Sequence, residues 1–316
     1  MKASVRARGP GILERKRLSS IVGYFGVFLV AALPWLRVAS HAAPSGLGNM
    51  ADEHLVPWIL GWVAQALAAS PRHLFDVPIN YPAPAQLAGI EHFLSTQVLF
   101  GPLFWITGNA VLAANLTAIL SYPLAALAME SLLLMLDCAR PVAWVGGLLF
   151  ALGPFEVPGS PLVLKCPHLY LPLVALALTR LRERPTPGSG GVLLLALVMA
   201  LLGSYYIAVI TLVTRAVWAL CVLLRRASGR SAFVLYAFAA TLIAMTILVV
   251  VSLPYLARPA AAPAPAVGEA LYDWPWQTFD RQLPHLSGVV LSALAAVGVA
   301  GTWACAASAR RTAACG

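Results

Sequence analysis

Charged residues are scarce in this chain, and acids are scarcer than bases. Asp, Glu, Lys and Arg make up 10% of the 316 residues, with 12 acids against 21 bases. A typical soluble domain carries about 25% charged residues, so the composition excludes a domain that is solvated on all sides. Hydrophobic residues reach 60% and the mean hydropathy is +0.82. These values indicate a protein whose solvent is the lipid bilayer.

The chain also lacks the patterns that mark metal proteins and many soluble enzymes. Its five cysteines are scattered, without CxxC or Cys/His spacing, so they predict neither a metal site nor a disulfide framework. They are Cys138, Cys166, Cys221, Cys305 and Cys315. No phosphate-cradling glycine loop and no Ser/His/Asp arrangement stands out. We interpret the cysteines as small apolar residues.

The net charge of +9 comes from arginines in short clusters at the ends of apolar runs. This placement is typical of membrane topology, and we therefore predict no nucleic-acid partner. Residues 1–20 carry six bases ahead of an apolar run, which predicts a cytoplasmic N-terminus and an uncleaved first helix. A signal peptide is the alternative, because Val38-Ala39-Ser40 and His41-Ala42-Ala43 offer small residues for cleavage.

Apolar runs follow one another along most of the sequence. A bilayer core about 30 Å thick needs about 20 helical residues. The predicted spans are at about 21–39, 110–136, 141–155, 167–180, 191–203, 204–224, 232–256 and 286–308. We therefore predict an all-α fold, in which residues 1–316 form a single transmembrane domain, a polytopic helical bundle of about eight spans.

The apolar segment 93–107 is short for a span and contains Gly101-Pro102. If it does not cross, the arginine clusters that follow lie on the same side as the basic N-terminus, as the positive-inside tendency favours. We predict an interfacial or re-entrant helix here. Both termini are then cytoplasmic in a multi-pass protein of the inner (plasma) membrane, and residues 40–109 and the Pro-rich stretch 257–285 form outer loops.

The outer loop 40–109 is the most informative part of the sequence. Asp52, Glu53 and His54 precede a run with Trp58 and Trp62, which predicts an amphipathic helix at the level of the lipid headgroups. Acids at its N-terminus are stabilised by the helix dipole, a sufficient structural reason for one of them. The polar groups that follow are Phe75-Asp76, Asn80-Tyr81-Pro82 and Glu91-His92.

These segments, in this order, resemble a known superfamily. The motif set is Asp52, Trp58, Trp62, Phe75-Asp76, Asn80-Tyr81-Pro82, Glu91-His92, Gly108-Asn109, Asn115 and Gly203-Ser204-Tyr205-Tyr206. It resembles bacterial polytopic proteins of the C-type glycosyltransferase superfamily, and is similar to the dolichyl- or polyprenyl-phosphate-sugar mannosyltransferase-like group, over about residues 20–224. The resemblance implies a lipid-linked sugar donor, a site at the outer membrane face and an essential acid in the first outer loop.

The resemblance also implies roles for individual residues. Asp52 is the implied essential acid, which takes a proton from the acceptor hydroxyl as the lipid phosphate leaves. Glu53 and Glu156 are further candidate catalytic acids, and Lys165 or Arg72 would bind the donor phosphate. The candidate substrate-binding residues are His54, Arg72, Asp76, Glu91, His92, Lys165, His168 and Tyr205. Oxygen ligands suit Mg²⁺ or Mn²⁺, but one loop acid does not establish a metal.

Two charges fall inside predicted spans, Glu130 and Arg215. Intramembrane charges are costly and are usually paired or functional. We predict that the two residues pair with each other, and snorkelling of Glu130 toward the cytoplasm is the alternative.

Other function classes stay open on the sequence alone. A transporter or flippase-like carrier is one, although no paired repeat of Gly/Pro-broken helices is visible. A non-catalytic membrane scaffold is another. The family usually has more spans than this sequence provides, so a truncated or inactive member is also compatible. Membrane lipids are expected neighbours, and neither the sugar nor the acceptor is indicated.

Overall fold

The computed structural model of the chain describes residues 10–36, 39–40, 50–79, 84–152, 162–224 and 230–257. Every regular element within these ranges is a helix, which confirms the predicted all-α class for this part of the chain. The α-helices are α1 (Pro10–Leu36), α2 (Met50–Ala69), α3 (Gln97–Thr107), α4 (Ala110–Met135), α5 (Arg140–Ala151), α6 (Tyr170–Glu183), α7 (Pro187–Leu201), α8 (Tyr205–Leu224) and α9 (Arg230–Ala257). Three 3₁₀ turns cover Pro71–His73, Gln86–Gly89 and Leu162–Leu169.

Each predicted span up to residue 256 overlaps one of these helices. Among the described residues, three helices are long and apolar enough to cross a membrane, through Arg17–Pro34 of α1, Ala110–Met135 of α4 and Ser231–Tyr255 of α9. The prediction of about eight spans is not confirmed at this length criterion, because α5 has 12 residues and α6 has 14, about 18 and 21 Å at 1.5 Å per residue. The predicted span 286–308 and the loop beyond residue 257 lie outside the described residues.

Helices α1, α4 and α5 pack into one group around Tyr24. The Tyr24 side chain is fully buried; its ring stacks on Trp144 at 5.4 Å between centroids, and its hydroxyl donates to the Trp144 carbonyl at 2.9 Å. Helices α4 and α5 come so close at Gly147 that an added Cβ would lie 2.6 Å from the Ala126 carbonyl oxygen. The first helix is therefore an integral part of the core.

A polar bridge joins the same three helices near the start of α5. Ser20 donates its hydroxyl to Glu130 Oε1 at 2.8 Å, and Arg140 Nη2 donates to Ser20 Oγ at 2.9 Å. Arg215 instead donates to the Ala237 carbonyl on α9. The predicted pair between Glu130 and Arg215 is therefore not formed, because each charge has a nearer partner on an adjacent helix.

Helices α6 to α9 form a second apolar group. Leucines along α6 and α7 are almost completely buried in it. They include Leu181, Leu193, Leu197 and Leu201. Gly190 on α7 lets Tyr236 of α9 approach closely. The Tyr236 Cβ lies 3.3 Å from the point that a Cβ added at residue 190 would occupy. Such close helix contacts through small residues are typical of membrane bundles.

The long connection between α1 and α4 leaves and returns at one end of the helices. Asn115 Nδ2 donates to the Ala39 carbonyl at 2.7 Å, and Asn109 Nδ2 donates to the Ser40 carbonyl at 3.0 Å. Asn109 also caps α4 by accepting from the Leu112 amide. We call this end, with residues 39–40, 91–96, 109, 202–205 and 252–255, the loop end.

Helix α3 stays near the loop end. It starts just after Ser95, whose amide donates to the Leu202 carbonyl at 3.1 Å, and it ends at Gly108, whose φ of +64° suits glycine. Its 11 residues span about 16 Å, about half of a bilayer core. The predicted helix at 93–107 is thus confirmed from residue 97 onward. The Phe93 backbone adopts the left-handed conformation, with φ 48°, so the helix begins only after the turn that follows.

Helix α2 confirms the helix predicted around the two tryptophans. One face is buried through Ile59, Leu60 and Val63. Trp62 Nε1 donates to the Leu74 carbonyl at 2.9 Å, while the Trp58 side chain is 41% exposed. Tryptophan half in contact with solvent at such a helix is typical of a membrane interface.

The outward surface of the bundle is strongly apolar. In α9, only 17% of the most apolar 18-residue stretch within Ser231–Tyr255 is buried in the protein. The exposed side chains of α9 include Leu235, Phe238, Leu242, Ile243, Val249, Val250 and Leu253. Exposed apolar surface of this extent is typical of a face that contacts lipid or another protein, and it suggests a membrane protein.

Candidate functional site

A polar and aromatic cluster at the loop end gathers residues from four distant segments. Its members, which we call the loop-end cluster, are Phe75, Glu91, His92, Ser204, Tyr205, Ser252 and Tyr255. They come from the loop after α2, the turn before α3, the start of α8 and the end of α9.

The Glu91 carboxylate lies at the N-terminus of α8. Ser204 donates its hydroxyl to Glu91 Oε1 at 2.6 Å, and the Tyr205 amide donates to the same oxygen at 2.9 Å. Burial raises the pKa of Glu91 above its usual value, although these hydrogen bonds act to lower it. Glu91 thus serves α8 as a capping group from a segment 113 positions away.

His92 is buried beside this cap with one ring nitrogen unpaired. The side chain is 2% exposed. Its Nδ1 accepts from the Leu94 amide at 3.3 Å, which leaves the proton of the neutral ring on Nε2. Nε2 has no hydrogen-bond partner among the described residues. Burial lowers the pKa of His92 to about 4, so the ring is an uncharged donor at neutral pH.

Two tyrosine rings flank the His92 ring, and a phenylalanine packs on one of them. Its centroid lies 5.5 Å from that of Tyr205 and 6.3 Å from that of Tyr255, both edge-to-face. Tyr255 donates its hydroxyl to the Ile90 carbonyl at 2.7 Å, and its ring meets Phe75 at 5.7 Å. The end of α9 is therefore fastened to the segment that carries Glu91 and His92.

Gly203 fixes the position of the turn between α7 and α8. A Cβ at this residue would lie 2.8 Å from Pro167 Cβ and 2.8 Å from Ser95 Oγ. Tyr170 donates its hydroxyl to the Ser95 carbonyl at 3.1 Å. The turn, the start of α6 and the segment before α3 therefore meet in close contact, and only glycine fits between them.

Of the three predicted catalytic acids, the structure describes the backbone of two and none of the side chains. The backbone of Asp52, Glu53 and His54 lies in the first turns of α2, and their side chains are outside the described part of the structure. Glu156 lies outside the described residues. Lys165 has its backbone in the Leu162–Leu169 turn, and its side chain is likewise not described.

Arg72 and Asp76, two predicted substrate ligands, lie on an exposed loop beside the cluster. Asp76 Oδ2 is 2.9 Å from His73 Nδ1, and Asp76 Oδ1 accepts from the Ala85 amide at 3.1 Å. The hydrogen bond with His73 has the largest effect and lowers the pKa of Asp76, and the hydrogen bond from the Ala85 amide lowers it further. Asp76 thus closes the loop, while its neighbour Phe75 reaches Tyr255 in the cluster.

Of the remaining candidates, Glu91, His92 and Tyr205 are brought together by the fold. His168 is half-buried and follows Pro167, the residue that faces Gly203. Ser252 and Tyr255 were not predicted from the sequence. Their only sequence signal is a tyrosine at the end of an apolar span, a common interfacial position.

Within the described ranges, no three His, Cys, Asp or Glu side chains lie close enough together to hold a metal ion. No family model, curated protein or solved structure matches this chain.

Proposed function

We propose that this chain is a polytopic membrane glycosyltransferase of the C-type superfamily, with about eight spans. It would transfer a sugar from a polyprenyl-phosphate donor to an envelope acceptor at the non-cytoplasmic face of the inner membrane. The alternatives remain a carrier or a scaffold, and the experiment below separates an enzyme from both.

The observation that carries the proposal is the convergence of the motif segments. Phe75, Glu91-His92 and Tyr205 belong to three of the segments on which the resemblance rests, and the fold joins them through Tyr255 and direct contacts. Sequence order and spatial contact are separate observations. Their agreement favours one shared site over unrelated loop residues.

The distribution of charge supports a non-cytoplasmic loop end. Helix α4 starts at the loop end and runs to the turn before Arg140, and α6 runs from the loop end toward Arg180, Arg182 and Arg184. These arginines therefore lie at the opposite end of the helices. The positive-inside tendency assigns that end to the cytoplasm, and α2 and α3 become surface helices of the outer face.

The chemistry assigned to Asp52 is that of a general base. The acceptor hydroxyl oxygen forms a bond to the anomeric carbon, the bond from that carbon to the lipid phosphate oxygen breaks, and Asp52 takes the hydroxyl proton. Its place in the first turn of α2 suits an ionised carboxylate, because the positive end of the helix dipole stabilises negative charge.

Substitution Asp52→Asn tests the proposal. We expect membranes that contain the variant to lose transfer of labelled sugar from a polyprenyl-phosphate donor by about 100-fold or more, as loss of a general base costs. The matched control is Asp137→Asn, an exposed acid in the α4–α5 turn with φ 60°, a conformation that asparagine tolerates.

The control must retain the wild-type rate, and both variants must be present in equal amounts. Equal transfer by Asp52→Asn and Asp137→Asn would contradict the role of Asp52. Absence of transfer in the wild type, together with movement of the intact donor across the membrane, would favour the carrier.

A further inference from the structure

The turn that leads into α3 carries three buried polar atoms without a hydrogen-bond partner among the described residues, on His92, Ser95 and Thr96. His92 Nε2 and Ser95 Oγ have no hydrogen-bond partner among the described residues, and the two side chains are 2% and 3% exposed. A buried donor or acceptor that stays unpaired costs about 1–3 kcal/mol. Such atoms in native proteins are usually met by water or by a ligand.

Both residues pack against neighbouring elements at the loop end, Ser95 against the α7–α8 turn and His92 against the start of α8 and the end of α9. Ser95 is held there by its amide, which donates to Leu202 at 3.1 Å, and its Oγ lies against Gly203. His92 faces the rings of Tyr205 and Tyr255. Aromatic walls with a few convergent polar groups are typical of small-molecule sites.

The charges around these atoms disfavour an anionic ligand. The ionisable side chain beside them is Glu91, next to His92 in the chain and bound to the turn at Ser204. His92 is itself neutral at pH 7, since burial depresses its pKa. In the described ranges, no Lys or Arg side chain forms a hydrogen bond or ion pair with the loop-end cluster. A phosphate bound at these atoms would therefore meet no Lys or Arg side chain of the described ranges that is bonded to the cluster.

We propose that His92 and Ser95 form a subsite for the sugar of the donor, an uncharged hydroxyl-bearing group, and that the lipid phosphate binds elsewhere. The His92 Nε2–H donates to a sugar oxygen, and the Ser95 hydroxyl donates or accepts according to the sugar's own hydroxyl. The inference rests on the proposed glycosyltransferase function and deepens it.

Saturation-transfer NMR on the purified full chain in detergent tests the subsite, with methyl hexopyranosides as probes. We expect transfer of saturation to the glycoside in the wild type and its loss in His92→Phe, which keeps an aromatic ring but removes the donor. His92→Gln, which restores a neutral N–H donor, should recover the signal. Ser95→Ala should weaken binding by about 2- to 10-fold, the loss of one hydrogen bond.

The exposed His73 provides the matched control, since it lies outside the cluster. His73→Gln must retain the wild-type signal. Farnesyl phosphate, which has no sugar, should leave the His92 nitrogen resonances of ¹⁵N-histidine-labelled protein unchanged. A shift with farnesyl phosphate but not with glycosides would show a phosphate site and overturn the inference.

An unchanged glycoside signal in both His92→Phe and Ser95→Ala would also overturn it, as would the absence of any signal in the wild type. The failure is distinguishable from failure of the proposed function. If sugar transfer persists in the wild type and depends on Asp52, the enzyme assignment stands and only the location of the sugar is wrong.

Discussion

Glu91 and His92 are neighbours in the chain, yet burial acts on them in opposite directions. Glu91 is an acid whose pKa is raised, and His92 is a base whose pKa falls to about 4. In both cases burial disfavours the charged form. The two residues therefore give the protein opposite pH dependences, which substitutions can separate.

For Glu91 the folded pKa lies above the ordinary value of 4.5. Its contribution to stability is complete below that value and is lost as pH rises through the folded pKa. The melting temperature of the wild type relative to Glu91→Gln should therefore fall as pH rises from 4 toward neutral pH. Thermal unfolding in detergent measures this difference in melting temperature. A difference that grows with pH would mean that the pKa of Glu91 is not raised in the folded protein.

Loss of the acceptor at Glu91 should matter more than loss of its charge. Glu91→Gln keeps an oxygen for the Ser204 hydroxyl and the Tyr205 amide, whereas Glu91→Ala leaves both donors without it. We expect Glu91→Ala to lower the free energy of unfolding by about 1–3 kcal/mol at pH 7. Equal stability of the two variants would show that the carboxylate does not cap α8.

For His92 the folded pKa lies below the ordinary value of 6.5. The contribution of the neutral His92 ring to stability is complete above pH 6.5 and is lost as pH falls from 6.5 toward about 4. His92→Phe should remove this acid-induced loss of stability. The measurement is the melting temperature between pH 7 and 4, and an unchanged acid slope in His92→Phe would mean that burial does not lower the pKa of His92.

At the scale of elements, the α7–α8 turn depends on a single missing side chain. Gly203→Ala places a Cβ within 2.8 Å of Pro167 and Ser95, and such overpacking costs about 1–3 kcal/mol. Gly191→Ala in α7 is the matched control, because nothing lies within 4 Å of its added Cβ and alanine favours a helix by about 0.5–1 kcal/mol.

The two variants should shift the melting temperature in opposite directions. Gly203→Ala should also weaken capture of methyl glycosides, since the turn carries Ser204 and Tyr205 into the cluster. A Gly203→Ala protein as stable as the wild type would show that the turn is not tightly packed.

The positions of the helices were predictable from the sequence, because apolar runs and their breaks are local signals. Helix α4 was predicted at 110–136 and is found at Ala110–Met135, with Gly108-Asn109 marking its start. The contacts between distant helices were not predictable. Ser20, one of two serines at the end of a basic segment, gives no sign in the sequence of a contact with Glu130, and Tyr255 gives none of a contact with His92.

At the scale of the whole molecule, the loop end and the α4–α5 turn should face opposite sides of the membrane. We expect a single cysteine at Arg72, in an otherwise cysteine-free chain, to react with an impermeant thiol reagent in intact cells. A single cysteine at Asp137 should react only after permeabilisation. Both positions are exposed, so reactivity reports sidedness. Labelling of Asp137→Cys alone in intact cells would place the cluster in the cytosol and contradict the account.

The central claim is that the outer end of this bundle carries out glycosyl transfer. Its most direct test is the release of polyprenyl phosphate by the purified chain in lipid vesicles, supplied with a polyprenyl-phosphate hexose and washed acceptor membranes. The account predicts catalytic release by the wild type that Asp52→Asn abolishes and Asp137→Asn retains. Donor that stays intact, or that crosses the vesicle membrane unchanged, would contradict it.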